Sequence, residues 1–144
     1  DVYRLKQEFP ELQIEINGGI DSIEQIKSHL QHVDGVMIGR AAYHNPYLLA
    51  EAMQLWGEEA PSREYILSQL YSYLENQFAK GEPLTSISRH LLGLFQGLPG
   101  ARRWRQSLSG KQQLTVDDLK AAGDATLASI ERARQTDLVT DYNH

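Results

Sequence analysis

Cysteine is absent from the 144 residues. Without a thiol there is no disulfide framework, no thiolate metal site and no cysteine nucleophile or acid, so chemistry of that kind would have to lie outside this chain. Long apolar runs are missing too. No stretch approaches the roughly 18 residues that a membrane span needs, and no basic start followed by an apolar core marks a signal peptide. The chain therefore reads as soluble, with no membrane partner, and a cytoplasmic location is expected. An initiator Met and a helix cap are also lacking ahead of DVYRLKQEF, where Val2, Leu5 and Phe9 already fall at helical spacing. A chain that opens inside an element predicts a piece of a longer protein.

Acidic residues are scarce in one stretch only. The net charge of −5 argues against indiscriminate nucleic-acid binding. Residues 83–116 nevertheless hold no Asp or Glu while carrying Arg89, Arg102, Arg103, Arg105 and Lys111. This stretch is about five charges positive and the remainder about ten negative, so the average hides a basic island.

What is present is organised around residues 14–46: IEINGGI, then DSIEQIKSHLQHVD, then GVMIGRAAYHNP. Pro10 ends the opening helix, and Leu12, Ile14 and Ile16 then alternate with Gln13, Glu15 and Asn17 as a strand with two unlike faces. Asn17-Gly18-Gly19 resembles a hairpin turn. Residues 21–30 favour a helix after it instead of a second hairpin strand, with Asp21 as cap, Glu24 reaching back, and Ile23, Ile26 and Leu30 on one side. Val36, Met37 and Ile38 form a second strand that reads as buried on both faces, and Gly39-Arg40 comes directly after. Asn45 and Pro46 read as cap and first position of a helix that has Leu48, Leu49, Ala52, Leu55 and Trp56 on its apolar side and ends at Gly57. A β-α-β-α unit with short turns predicts parallel strands joined by a right-handed crossover.

After a polar linker the pattern becomes helical throughout. Ser62 caps a helix with the stripe Ile66, Leu70, Tyr73 and Leu74, stopped by Lys80-Gly81. Residues 86–98 repeat the pattern through Ile87, Leu91, Leu94, Phe95 and Leu98. A short helix carries Ala101, Trp104 and Leu108 on its buried side, and Thr115 with Asp118 opens a last one bearing Val116, Leu119, Leu127 and Ile130. The expected architecture is α/β plus all-α: the last two β/α units of a TIM-type barrel over 1–57, an antiparallel helical bundle over 62–135, and a frayed tail over 136–144.

Two glycine turns on neighbouring parallel strands let backbone N–H groups approach an anion, and the helices after them add their positive ends. In TIM-type barrels a phosphate sits in the loops after the last two strands. The plainer reading is that Gly18, Gly19 and Gly39 only permit tight turns. Arg40, at a helix start where the dipole disfavours a cation, mildly supports a ligand. In the basic island Arg102 and Arg105 share one edge of their helix while Arg103 points elsewhere. Arg89 and Gln96 face away from the preceding apolar stripe, with Gly93 between them. Arginines without acidic neighbours suit contact with an RNA backbone; the alternative is a solvated helix face. Trp104 reads as core. His29 and His32 lie at a spacing that permits a shared metal, but no third ligand is evident and no metal site is expected.

INGGI, followed after one helix by DGVMIGRAAYHNP and then by RHLLGLFQGLPGARRWRQSLS, resembles the C-terminal part of the tRNA-dihydrouridine synthases, most closely the bacterial A-type enzymes. The resemblance runs from the first residues to about Ser109. It implies an oxidoreductase that reduces uridine to 5,6-dihydrouridine in the tRNA D-loop, with FMN as cofactor and NADPH as reductant. By the family pattern Asn17, Gly18, Gly19, Gly39 and Arg40 hold the FMN phosphate. Arg102 and Arg105 touch tRNA, with Arg103 and Arg89 as further candidates. The family's catalytic cysteine has no counterpart here, so the chain by itself is expected to be inactive and to bind FMN poorly. The isolated chain is expected either to self-associate through its open strand edges or to be stable chiefly as its helical bundle. Competing readings are a free-standing helical RNA-binding module and a piece of another FMN-binding TIM barrel.

Overall fold

A computed structural model of the chain describes residues 1–110 and 113–141, with side chains as far as residue 137. The chain divides into two compact units, Asp1–Ala60 and the part from Pro61 onward. The first is α/β and the second is helical.

In the first unit helix α1 (Val2–Glu8) is capped after all: the Asp1 carboxylate accepts from the Tyr3 N–H at 3.2 Å. The Tyr3 ring is held by two histidines. Its hydroxyl hydrogen-bonds His29 Nδ1, and its face stacks on His32 with centroids 4.4 Å apart, so the two imidazoles flank one phenol. Lys6 donates to the Pro10 and Leu12 carbonyls at 2.9 and 2.7 Å and pairs with Asp34 at 2.7 Å. Asp34 in turn accepts the Ile14 N–H at 2.8 Å. These bonds occupy the backbone that would have extended the first strand. Strand β1 is therefore only Glu15–Asn17, shorter than the alternation from Leu12 predicts.

β1 pairs in parallel with β2 (Gly35–Met37), Ile16 opposite Val36, with helix α2 (Ile23–His29) between them in the chain. The α2 cap is Ser22, whose hydroxyl accepts from the Gln25 N–H; Gln25 reaches back to the Asp21 N–H at 2.8 Å. The predicted box of Asp21 and Glu24 is thus displaced by one residue, because a hydroxyl at Ser22 is already in the capping position. Ile20, Ile26 and Ala52 form the buried centre of this unit, with Ile16, Val36 and Ile38 packed against it. Burial of β2 on both faces is not observed: Met37 is 48% exposed. Among the described residues the sheet has two strands; Ile16 and Val36 pack on the core, and Glu15, Asn17 and Met37 are exposed.

The helix predicted from Asn45 is preceded by a short one, α3 (Arg40–His44), which opens at Gly39. Asn45 closes α3 through its backbone N–H and makes no side-chain cap. Helix α4 (Tyr47–Ala52) comes next and tightens into a 3₁₀ turn, Met53–Trp56, that ends at Gly57 with φ of 78°. Leu48, Ala50 and Ala52 are buried. Leu49 and Trp56, expected on the apolar side, are exposed: α4 turns Leu48 and Ala52 inward in place of Leu49, and the tighter turn carries Trp56 off the helical period.

In the second unit helix α5 (Arg63–Ala79) is capped by Ser62 as predicted. Its buried side is Leu67 and Leu74, with Ile66, Leu70 and Tyr71 packed against the core; Tyr73 is exposed. Helix α6 (Leu84–Ser88) is one turn long. The continuous helix predicted over 86–98 is not formed: α6 holds its first three residues, and from Arg89 the chain is a series of turns, with i to i+3 bonds at Leu91, Leu94, Gln96 and Leu98. Gly93 and Gly97 weaken a helix at this point, and Gly97 takes a φ of 77° that ends one. Leu94 and Phe95 still reach the core.

Helix α7 (Ala101–Ser109) buries Ala101, Trp104 and Leu108. The Trp104 indole N–H donates to the Leu91 carbonyl at 2.8 Å and Phe95 meets the indole edge-on, centroids 5.0 Å apart. Helix α8 (Val116–Asp141) opens with the reciprocal bonds between Thr115 and Asp118, at 3.0 and 3.1 Å. It packs on α5 and α7. It continues to Asp141 through the start of the predicted tail, and residues 142–144 and Lys111 lie outside the described residues.

Candidate functional site

Strand β1 delivers Asn17, Gly18 and Gly19, and β2 delivers Gly39 and Arg40. All five line one hollow of about 610 Å³. Gly18 and Gly19 have φ of 132° and 65°, conformations that side-chain-bearing residues rarely adopt, and a Cβ built on either would meet nothing within 4 Å. The glycines here serve backbone conformation and leave open space above it. They are not packing glycines, unlike Gly35, whose added Cβ would lie 2.8 Å from Glu15 Cγ. At Gly39 the only near atom is Met37 Sδ, at 4.0 Å.

Arg40 is exposed, and its guanidinium has no hydrogen-bond or ion-pair partner among the described residues. The hollow is completed by residues that the sequence did not single out for it: Ile20, Asp21, Met37, Ala41, His44 and Asn45. Asn45 read only as a helix cap. Its Oδ1 is buried and has no hydrogen-bond partner among the described residues. Asp21 also borders a neighbouring hollow of about 620 Å³, which places the residue on the divide between the two.

The second unit carries the arginines. Arg102, Arg103 and Arg105 are exposed on α7 and have no carboxylate partner among the described residues. Arg105 Nη1 donates to Gln96 Oε1 at 3.3 Å, which joins the turn segment to the Arg102–Arg105 edge. Arg103 is on another side and lines a small hollow with Ser107, Asp118 and Ala122. Arg89 lies on the turn segment, its Nε donating to His90 Nε2 at 3.2 Å. Among the described residues no three His, Asp or Glu side chains gather as metal ligands, and no helix is long and apolar enough to cross a membrane.

Comparison with known proteins supplies the deciding observation. Residues 1–131 match the dihydrouridine synthase (Dus) family. The chain belongs to that family. Three Dus relatives, each named tRNA-dihydrouridine(20/20a) synthase, show the extent of the likeness. That of Vibrio parahaemolyticus is 51% identical over 90% of this chain and 40% of its own length. That of Shewanella oneidensis is 47% identical over 96% of the chain and 41% of its own length. That of Escherichia coli K12 is 49% identical over 75% of the chain and 32% of its own length. The chain thus spans well under half of these Dus proteins.

Proposed function

We propose that this chain supplies the phosphate-holding end of an FMN site and a tRNA-contacting arginine edge to a tRNA-dihydrouridine synthase. That enzyme reduces uridine to 5,6-dihydrouridine, with NADPH as reductant, in the D-loop at the positions 20 and 20a that the relatives' names carry. The observation that bears most weight is the convergence of Asn17, Gly18, Gly19, Gly39 and Arg40 on one hollow. On this reading the two β/α units are the last two of a TIM-type barrel, and the helical unit is an antiparallel bundle that helps to clamp tRNA in the cytoplasm.

The residues fit a phosphorylated cofactor. Open space above Gly18 and Gly19 admits a phosphate close to backbone N–H groups, and the unpaired Arg40 guanidinium offers a forked donor to its oxygens. Asp21, at the rim, is suited to a hydroxyl and not to the phosphate itself. When bound, the flavin supplies the hydride. This chain's residues bind and orient its tail, and they supply no acid to the substrate carbon, since no cysteine is present.

In the flavin-loaded enzyme that carries this sequence, Arg40→Ala is expected to weaken FMN binding roughly 10- to 100-fold, the equivalent of a charge-assisted hydrogen bond. Flavin absorbance after purification and a fluorescence titration measure it. Binding equal to that of the unsubstituted enzyme would overturn the assignment.

A further inference from the structure

We infer that Gln96 is a base-reading residue of the RNA-contacting edge, with Arg105 setting the direction of its amide. The inference rests on the tRNA reading above and deepens it.

Residues 89–99 lack a regular helix, so what fixes this segment is its anchoring to α7. Trp104, fully buried, takes the Leu91 carbonyl with its indole N–H at 2.8 Å. Phe95, also fully buried, packs edge-on against the same indole. With Phe95 committed to the core, its neighbour Gln96 must point outward, and the left-handed Gly97 then turns the chain away. Gln96 is exposed, and its Oε1 receives the Arg105 guanidinium at 3.3 Å. The bond engages one lone pair of the amide oxygen, fixes which way the amide faces, and leaves its NH₂ donors without a partner among the described residues.

The edge therefore presents two kinds of donor. Arg102 and Arg105 are full charges, suited to phosphate contacts, which hold the backbone without reading its sequence. The Gln96 amide is neutral and gains little from a phosphate by comparison, but its donors match the carbonyl or ring-nitrogen acceptors on the edge of an unpaired base. Single-stranded loops splay such edges outward. A neutral amide oriented by one charge, beside a second charge that carries affinity, separates reading from holding.

The test uses the flavin-loaded enzyme, an unmodified tRNA transcript and a set of transcripts with single base changes in the D-loop and its flanks. Binding is measured at several salt concentrations. Gln96→Ala is expected to reduce discrimination at one base position by about 5- to 100-fold while leaving the salt slope unchanged. Arg102→Ala is expected to weaken all transcripts alike and to lower the slope by about one. Because Gln96 is exposed, its variant should retain flavin and melting temperature, which are checked alongside. If Gln96→Ala changes nothing, or weakens every transcript equally with a lower slope, the inference is overturned while the tRNA reading stands. If Arg102→Ala and Arg105→Ala are also silent, the tRNA reading falls with it.

Discussion

Gly123 illustrates how one atom decides a helix packing. A glycine inside α8 costs about 1 kcal/mol of helix propensity against alanine. Its reason lies across the interface: an added Cβ would stand 2.1 Å from the Tyr71 hydroxyl and 3.1 Å from Leu67 Cδ1. Tyr71 must shift to make room, and its half-buried ring packs against the core while its hydroxyl faces the Leu119 carbonyl at 3.5 Å. Burial, reinforced by Asp124, pushes the pKa of that hydroxyl up to about 12, so it stays neutral. Gly123→Ala is therefore expected to destabilise by about 1–3 kcal/mol despite the better propensity. Adding Tyr71→Phe should recover most of the loss, since the hydroxyl is the clashing group. Urea unfolding of both variants, followed by the helical signal, checks this.

Between elements, the Lys6–Asp34 pair has the largest reach in the first unit. It links α1, the entry to β1 and the turn before β2 through bonds of 2.7 and 2.8 Å. The Lys6 hydrogen bond, helped by the Ile14 N–H, holds the Asp34 carboxyl below its usual value of 3.8. A depressed folded pKa contributes stability that is present above about pH 4 and is lost as pH falls through the folded value. Acid should loosen α1 from the strands first. Asp34→Asn should abolish that component of the acid transition and raise exchange at the Ile14 amide at neutral pH. Amide exchange between pH 3 and 7 measures it, and an unchanged acid profile in the variant would refute the role. The same pair explains why β1 is three residues long: side chains had claimed the backbone groups that a longer ladder needed.

On the scale of the whole molecule, the first unit leaves several large apolar side chains uncovered. Val2, Leu5, Phe9, Leu12, Met37, Leu49 and Trp56 are all between 37 and 65% exposed. Leu49 and Trp56 border a groove of about 440 Å³ that also takes in Val36, Ile38 and Met53. Among the described residues each strand has one neighbour, so an edge of hydrogen-bonding groups lies beside this surface. The 144-residue chain on its own is expected to self-associate, with an apparent mass that rises with concentration in size-exclusion chromatography with light scattering. A monomer at every concentration, with well-protected β1 and β2 amides, would refute this. The second unit has its own core of Leu67, Leu74, Phe95, Trp104 and Leu119 and, although Tyr65, Tyr73 and Phe78 are exposed, no strand edge among the described residues.

By itself the sequence determined what is local. Alternation and glycine placed two strands before two helices, Ser62 and Thr115 declared their caps, and the spacing of Ala101, Trp104 and Leu108 oriented α7 so that Arg102 and Arg105 faced out. Those signals survive because each depends on neighbours a few residues away. Only the tertiary structure decided the rest. Residues 86–98 had an apolar period good enough for one helix, yet beyond Ser88 they fold as turns anchored by the Trp104 indole, a partner their own pattern cannot show. The hollow recruits Asp21, His44 and Asn45 because the parallel register brings the two strand ends together, and pairing Ile16 with Val36 bridges about twenty residues of chain.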